Sequence, residues 1–123
     1  AEDAEIHELL ACLFYEVKSY EPEEVVILDL HTTSAKGGIF SIVSEEIKSL
    51  QIAVDLHAPV ITGMMHGLKG TSLHYFSTAV FGIPTTTLVF ESGQHTEPDS
   101  AIRATSAIIS CLRSIRCVQS YVV

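Results

Sequence analysis

The residues with the most chemical potential stand where apolar runs turn polar. The stretch VVILDLHTTS carries Asp29 and His31, and TTTLVFESGQH carries Glu91 with Gln94 and His95 just beyond. Residues i and i+2 of a strand share a face, so Asp29 and His31 are expected side by side. A carboxylate next to an imidazole fixes its tautomer and raises its basicity, the usual support for a metal-ligating histidine. The same pair could equally be a hydrogen-bonded closure of a strand, and spacing leaves both readings open. A carboxylate at the end of a buried strand loses hydration, which is costly unless a partner or a function retains it. Partial desolvation also moves a carboxyl group toward the range where a general base works best. Glu91 therefore reads either as a base or as the partner of Lys36 or Lys69 in an ion pair.

The elements that must position these residues follow from periodicity. Ile6, Leu9, Leu10, Leu13 and Val17 recur at helical spacing, and Pro22 stops that helix. Residues 25–30 form a continuous aliphatic run, as expected of a strand covered on both faces. IFSIV is a second short strand. Ser44 is placed to cap a helix carrying Ile47, Leu50, Ala53 and Val54. APVITGM reads as a third strand, residues 71–81 as a helix ended by Gly82 and Pro84, and TTTLVFE as a fourth strand. Residues 101–116 form the last helix, with Asp99 near its start and Arg113 and Arg116 near its end, as the helix dipole favours. The tail CVQSYVV is read as a further strand. Alternating strands and helices define an α/β fold with a mostly parallel or mixed sheet and helices on both faces, in one domain over residues 1–123.

Ligands of open α/β sheets collect beyond the carboxyl ends of strands. The first strand ends at Asp29 and His31, the third leads into Gly63 and His66, and the fourth reaches Glu91. Convergence of these ends is expected to make the site. His7 is expected to face solvent, and His57 and His74 to be structural or surface residues. GLKG lacks the spacing of a phosphate-binding loop, and Ser34 has no nucleophile elbow around it.

Composition excludes other classes. A formal charge of -8 disfavours binding to a nucleic-acid backbone. No apolar run is long enough to span a bilayer, and the acidic start AEDAEIHELL does not read as a signal peptide. Cys12, Cys111 and Cys117 have no CxxC spacing and read as reduced thiols of a cytoplasmic protein.

DLHTTS followed by FESGQH resembles the zinc-dependent succinylglutamate desuccinylase and aspartoacylase family, relatives of the zinc carboxypeptidases. The resemblance runs from about Val25 to the final helix. It implies a zinc carboxypeptidase-like fold, with His31 as a zinc ligand, Asp29 orienting it from behind, and Glu91 as the catalytic base. Thr32, Thr33, His66, Gln94 and His95 become candidate substrate-site residues. The implied cofactor is zinc, and the implied substrate is an N-acyl amino acid or similar small amide.

The departures are specific. The family's other two zinc ligands come from an upstream His-x-x-Glu motif, and no such spacing occurs here. Its Asp-x-Asn-Arg motif is absent, and STAVFGIP offers no substrate arginine. Thr32 stands where aspartoacylases usually carry Asn. The chain is therefore expected to be a later, incomplete part of a catalytic domain, active only with its upstream segment and prone to self-association without it. Two other classes fit the same residues: a zinc carboxypeptidase-like peptidase, and a non-enzymatic assembly domain that keeps Asp29, His31 and Glu91 as relics.

Overall fold

The run TTTLVF forms β4, Thr85–Phe90, and all its residues are buried. In the computed structural model, which describes residues 2–33, 38–67, 69–70, 72–90 and 98–118, β4 lies inside a mixed sheet. Its neighbours are β1 (Ile27–Thr32) and β2 (Phe40–Val43), and β3 (Val60–Ile61) lies beyond β2, giving the order β1-β4-β2-β3. β1 runs parallel to β4, with Asp29 opposite Thr87 and Thr32 opposite Phe90. β2 runs antiparallel to β4, and β3 runs parallel to β2. The protein is thus of the α/β class, with helices packed against a mixed sheet.

Alternation along β4 assigns its two faces. Leu88 and Phe90 join Ile52 and Leu56, Ala58 and Cys111 in the apolar core. Ile52 belongs to α2 (Ile47–Asp55) and Cys111 to α4 (Pro98–Ser114), so both helices cover this face. Thr87 and Val89 face the other way, where Thr87 meets His74 of α3 (Leu73–Tyr75). Polar clasps lock α2 to β4. Ser49 Oγ donates to the Thr85 carbonyl at 2.7 Å, and Thr86 Oγ1 donates to the Ser49 carbonyl at 3.0 Å. Buried hydroxyls need such partners, because an unmade hydrogen bond in the core is expensive.

Several local expectations shift. β1 begins two residues later than its aliphatic run, and its second half is exposed rather than covered on both faces. Among the described strands it has β4 alone as a neighbour, so it stands at the sheet edge. Ser44 does not cap α2. Glu46 holds the cap position without a side-chain bond, and Ser44 Oγ is buried with no partner among the described residues. The helix expected over 71–81 is a single α-turn that continues as a π-helix, Phe76–Val80, in which Phe81 N–H reaches back to the Phe76 carbonyl at 3.3 Å. Ser72 caps it, accepting from Tyr75 N–H at 3.1 Å. Gly82 adopts φ 64, a left-handed conformation that glycine reaches without a Cβ clash, and turns the chain into β4.

Cys117 and Val118 do not start a strand. Both N–H groups turn back onto the Leu112 carbonyl, at 2.8 and 3.4 Å, closing the end of α4. The rest of the expected tail strand lies outside the described residues. The first helix, α1 (Glu2–Tyr20), forms as its periodicity requires. Its apolar stripe is only partly covered: Ile6 and Leu9 are exposed, while Phe14 packs on Phe81 with ring centroids 4.3 Å apart.

The core makes a direct stability test. Ile52 is fully buried and Ile47, on the same helix, is 75% exposed. Ile52→Ala is expected to cost about 2–5 kcal/mol. Ile47→Ala should stay within about 0.5 kcal/mol. Urea unfolding of the two variants checks this, and equal losses would contradict the placement of the core.

Candidate site at the end of the parallel strand pair

The parallel pairing of β1 and β4 brings the carboxyl ends of these strands to one edge of the sheet. Thr32 stands opposite Phe90, and Thr33 N–H donates to the Phe90 carbonyl at 3.1 Å. Phe90 immediately precedes Glu91 in sequence. Glu91, Gln94 and His95 lie outside the described residues, as does Lys36.

Strand periodicity sets Asp29 and His31 on the same face, and the two side chains meet. An ionised carboxylate only accepts, so His31 Nε2–H donates to Asp29 Oδ2, at 3.0 Å. The bond fixes the tautomer and leaves Nδ1 without a hydrogen-bonding partner among the described residues. Asp29 is 16% exposed and His31 is 55% exposed, so the carboxylate supports the imidazole from the protein side while the ring stays accessible.

The same pair lines a cavity of about 160 Å³ with Thr32, Ser72, His74 and Thr87, and with Ile42 and Val89 as apolar walls. His74 is fully buried. Its Nδ1 is 2.7 Å from Thr87 Oγ1, and its Nε2 is buried with no hydrogen-bonding partner among the described residues. Loss of hydration on burial lowers the His74 pKa from its ordinary 6.5, and the nearby Asp29 charge opposes the shift without reversing it. His74, expected as a structural or surface residue, is structural: it is buried and bonded to Thr87. The threonine run is the signal for that contact: three adjacent hydroxyls in a covered strand demand polar partners from whatever packs on each face.

His66 does not join this group. β3 is parallel to β2 and hence opposed to β1 and β4, so its carboxyl end points to the other edge of the sheet. The expected convergence of three strand ends is thus corrected to the ends of β1 and β4. His66 is exposed in the 3-10 turn Met64–His66 and lines a separate groove with Ser44, Gly63 and Lys69. His57 is exposed at φ 54, with Nε2 3.4 Å from Ser110 Oγ.

The fit to zinc rests on His31, whose carboxylate-backed ring, with Nδ1 unpartnered among the described residues, is what a ligating histidine presents. Among the described residues, no group of three His, Cys, Asp or Glu side chains stands close enough to hold a metal ion. None of the described helices is long and apolar enough to cross a membrane. Comparison with protein-family models, with characterised proteins and with solved structures finds no match.

His74 gives a pH prediction. A histidine held neutral by burial binds fewer protons folded than unfolded at pH just below 6.5. Stability rises with pH wherever the unfolded state holds more protons. The contribution is therefore complete above the unfolded value and declines as pH falls from there toward the lowered folded value. Urea midpoints of the wild type and of His74→Gln should diverge in their pH dependence across this range, the wild type falling more steeply on acidification. Parallel profiles would mean that His74 does not resist protonation.

Proposed function

We propose that this chain carries the base and one metal ligand of a zinc-dependent amidohydrolase that removes the acyl group from a small N-acyl amino acid or similar amide. The observation that carries the reading is the Asp29–His31 hydrogen bond at the exposed end of β1, beside the parallel strand that leads to Glu91. In this reading the fold is zinc carboxypeptidase-like, and the remaining two ligands come from residues upstream of Ala1.

His31 would hold the ion through Nδ1, with Asp29 keeping the ring oriented. Zinc, when bound, supplies Lewis acidity at the carbonyl and makes water a stronger acid. Glu91 takes a proton from the attacking water as its oxygen adds to the amide carbon. It then returns that proton to the departing nitrogen as the C–N bond breaks. The products are a carboxylate and an amine, so atoms and charge balance. Strand β1 suits Asp29 and His31, since a site on strands is held more precisely than one on loops.

The test uses the protein with its upstream residues present. Glu91→Gln should retain zinc and lose most hydrolysis of N-acyl amino acids, because an amide cannot act as a base. His31→Ala should lose zinc itself. Asp29→Ala should weaken zinc about 10–100-fold, the usual cost of removing a carboxylate behind a ligating histidine. Near-normal turnover in Glu91→Gln would rule out its role as the base. Residues 1–123 alone should neither bind zinc one-to-one nor turn over substrate, since a catalytic zinc needs about three protein ligands.

A further inference from the structure

Strand β1 has one covered edge and one open edge. Ile27 N–H donates to the Pro84 carbonyl at 3.0 Å, and Thr33 N–H to the Phe90 carbonyl at 3.1 Å. Successive residues of a strand direct their backbone groups to opposite sides, so Asp29 and His31, which share this parity, direct theirs toward β4. The N–H and C=O groups of Leu28, Leu30 and Thr32 therefore point outward, where no described strand answers them. Open edges are usually blunted by proline, lysine or a bulge. β1 carries no proline and no lysine, and its pairing with β4 runs without a bulge from Ile27 to Thr32. Leu28 packs on the core, while Leu30, on the same face, is 51% exposed.

The sequence of this edge is complementary to itself. A second copy can pair antiparallel about a twofold axis only where outward groups meet outward groups, and centres at Asp29, Leu30 or His31 allow that. A centre at Asp29 sets carboxylate against carboxylate, which is destabilising. A centre at His31 sets imidazole against imidazole and Leu30 against Thr32. A centre at Leu30 sets Leu30 against Leu30, and Asp29 against His31 in both directions. It also pairs Leu28 with Thr32, so the outward groups from Leu28 to Thr32 all gain partners. Asp29 and His31 then fall at the non-hydrogen-bonded positions, where opposed side chains approach most closely.

We propose that the outer edge of β1 is an interface for a second copy of this chain, the two β1 strands running antiparallel with Leu30 on the twofold axis and Asp29 of each copy opposite His31 of the other. The pairing joins the two sheets into one continuous sheet. Any extended peptide can bond to the edge backbone, but a copy of β1 also brings the matching order of carboxylate, leucine and imidazole. Neither the pairing nor its test depends on zinc or on hydrolysis.

The experiment is sedimentation equilibrium of metal-free residues 1–123. It is run in about 0.15 M salt, which screens the repulsion between two chains of formal charge -8 beyond about 8 Å. A reversible equilibrium between monomer and dimer is expected. Leu30→Pro removes an outward N–H and leaves the bonds to β4 in place, so it should abolish the dimer while circular dichroism shows a folded monomer. His31→Asp sets carboxylates opposite each other on both sides of the axis and should weaken the dimer about tenfold. His31→Lys keeps opposite charges there and should retain it. Should Leu30→Pro fail to fold, the two His31 variants decide, because that side chain is exposed. A wild type that stays monomeric up to about 1 mM overturns the proposal. So does a dimer that Leu30→Pro leaves intact, which would move the contact to another face such as the exposed Ile6 and Leu9 of α1. Equal affinities of His31→Asp and His31→Lys overturn it as well.

Discussion

The constraint on which the rest depends is the burial of three adjacent threonines in β4. A strand covered along its whole length can hide apolar side chains freely, but each buried hydroxyl must be answered. Thr85 donates to the Ile83 carbonyl at 3.1 Å, which shapes the entry to the strand. Thr86 is answered by α2 and Thr87 by His74. These bonds fix what lies on each face and at what height. Apolar contact alone would allow α2 to slide along the sheet; the reciprocal Ser49 clasp does not.

The site inherits this rigidity. Asp29 is level with Thr87 in the β1–β4 register, so the residue supporting His31 and the residue holding His74 are neighbours across one strand boundary. The two imidazoles differ in kind as a result. One is accessible and tied to a carboxylate through Nε2; the other is buried and tied to a hydroxyl through Nδ1, and among the described residues the second nitrogen of each ring has no hydrogen-bonding partner. Burial lowers the pKa of His74, with the Asp29 charge opposing the shift. The arrangement therefore places one ring open to solvent and another enclosed by the fold, a few side chains apart.

Much of the architecture was legible because local physics dictates it. Pro22 and Gly82 mark real ends, and the runs at residues 25–30, IFSIV and TTTLVFE form strands within two residues of their limits, whereas APVITGM keeps only Val60–Ile61. The Asp29–His31 contact follows from a period of two, which no distant packing can alter once the strand forms. What stayed hidden depends on partners far away in sequence. Nothing local in IFSIV says that it will pair antiparallel with a strand more than forty residues on, and that reversal sends His66 to the opposite edge. The shortening of α3 into a π-turn depends on Ile83 N–H bonding the Ser77 carbonyl at 2.8 Å as the chain dives into β4. His74 looked ordinary because its helix has no polar pattern; its importance is written in the threonines it meets.

The edge position of β1 has a thermodynamic consequence for the site it carries. Its outer backbone groups face no described strand, and a row of unpaired N–H and C=O groups accepts an added strand readily. Any strand that docked there would lie directly alongside His31, at the same level as the exposed half of β1. It would bury part of the ring. Ligand affinity at His31 and strand affinity at the edge would then share one coupling free energy, equal in both directions. A strand that favoured the oriented ring would be held more tightly by the liganded protein, and a strand that crowded the ring would be expelled by the ligand.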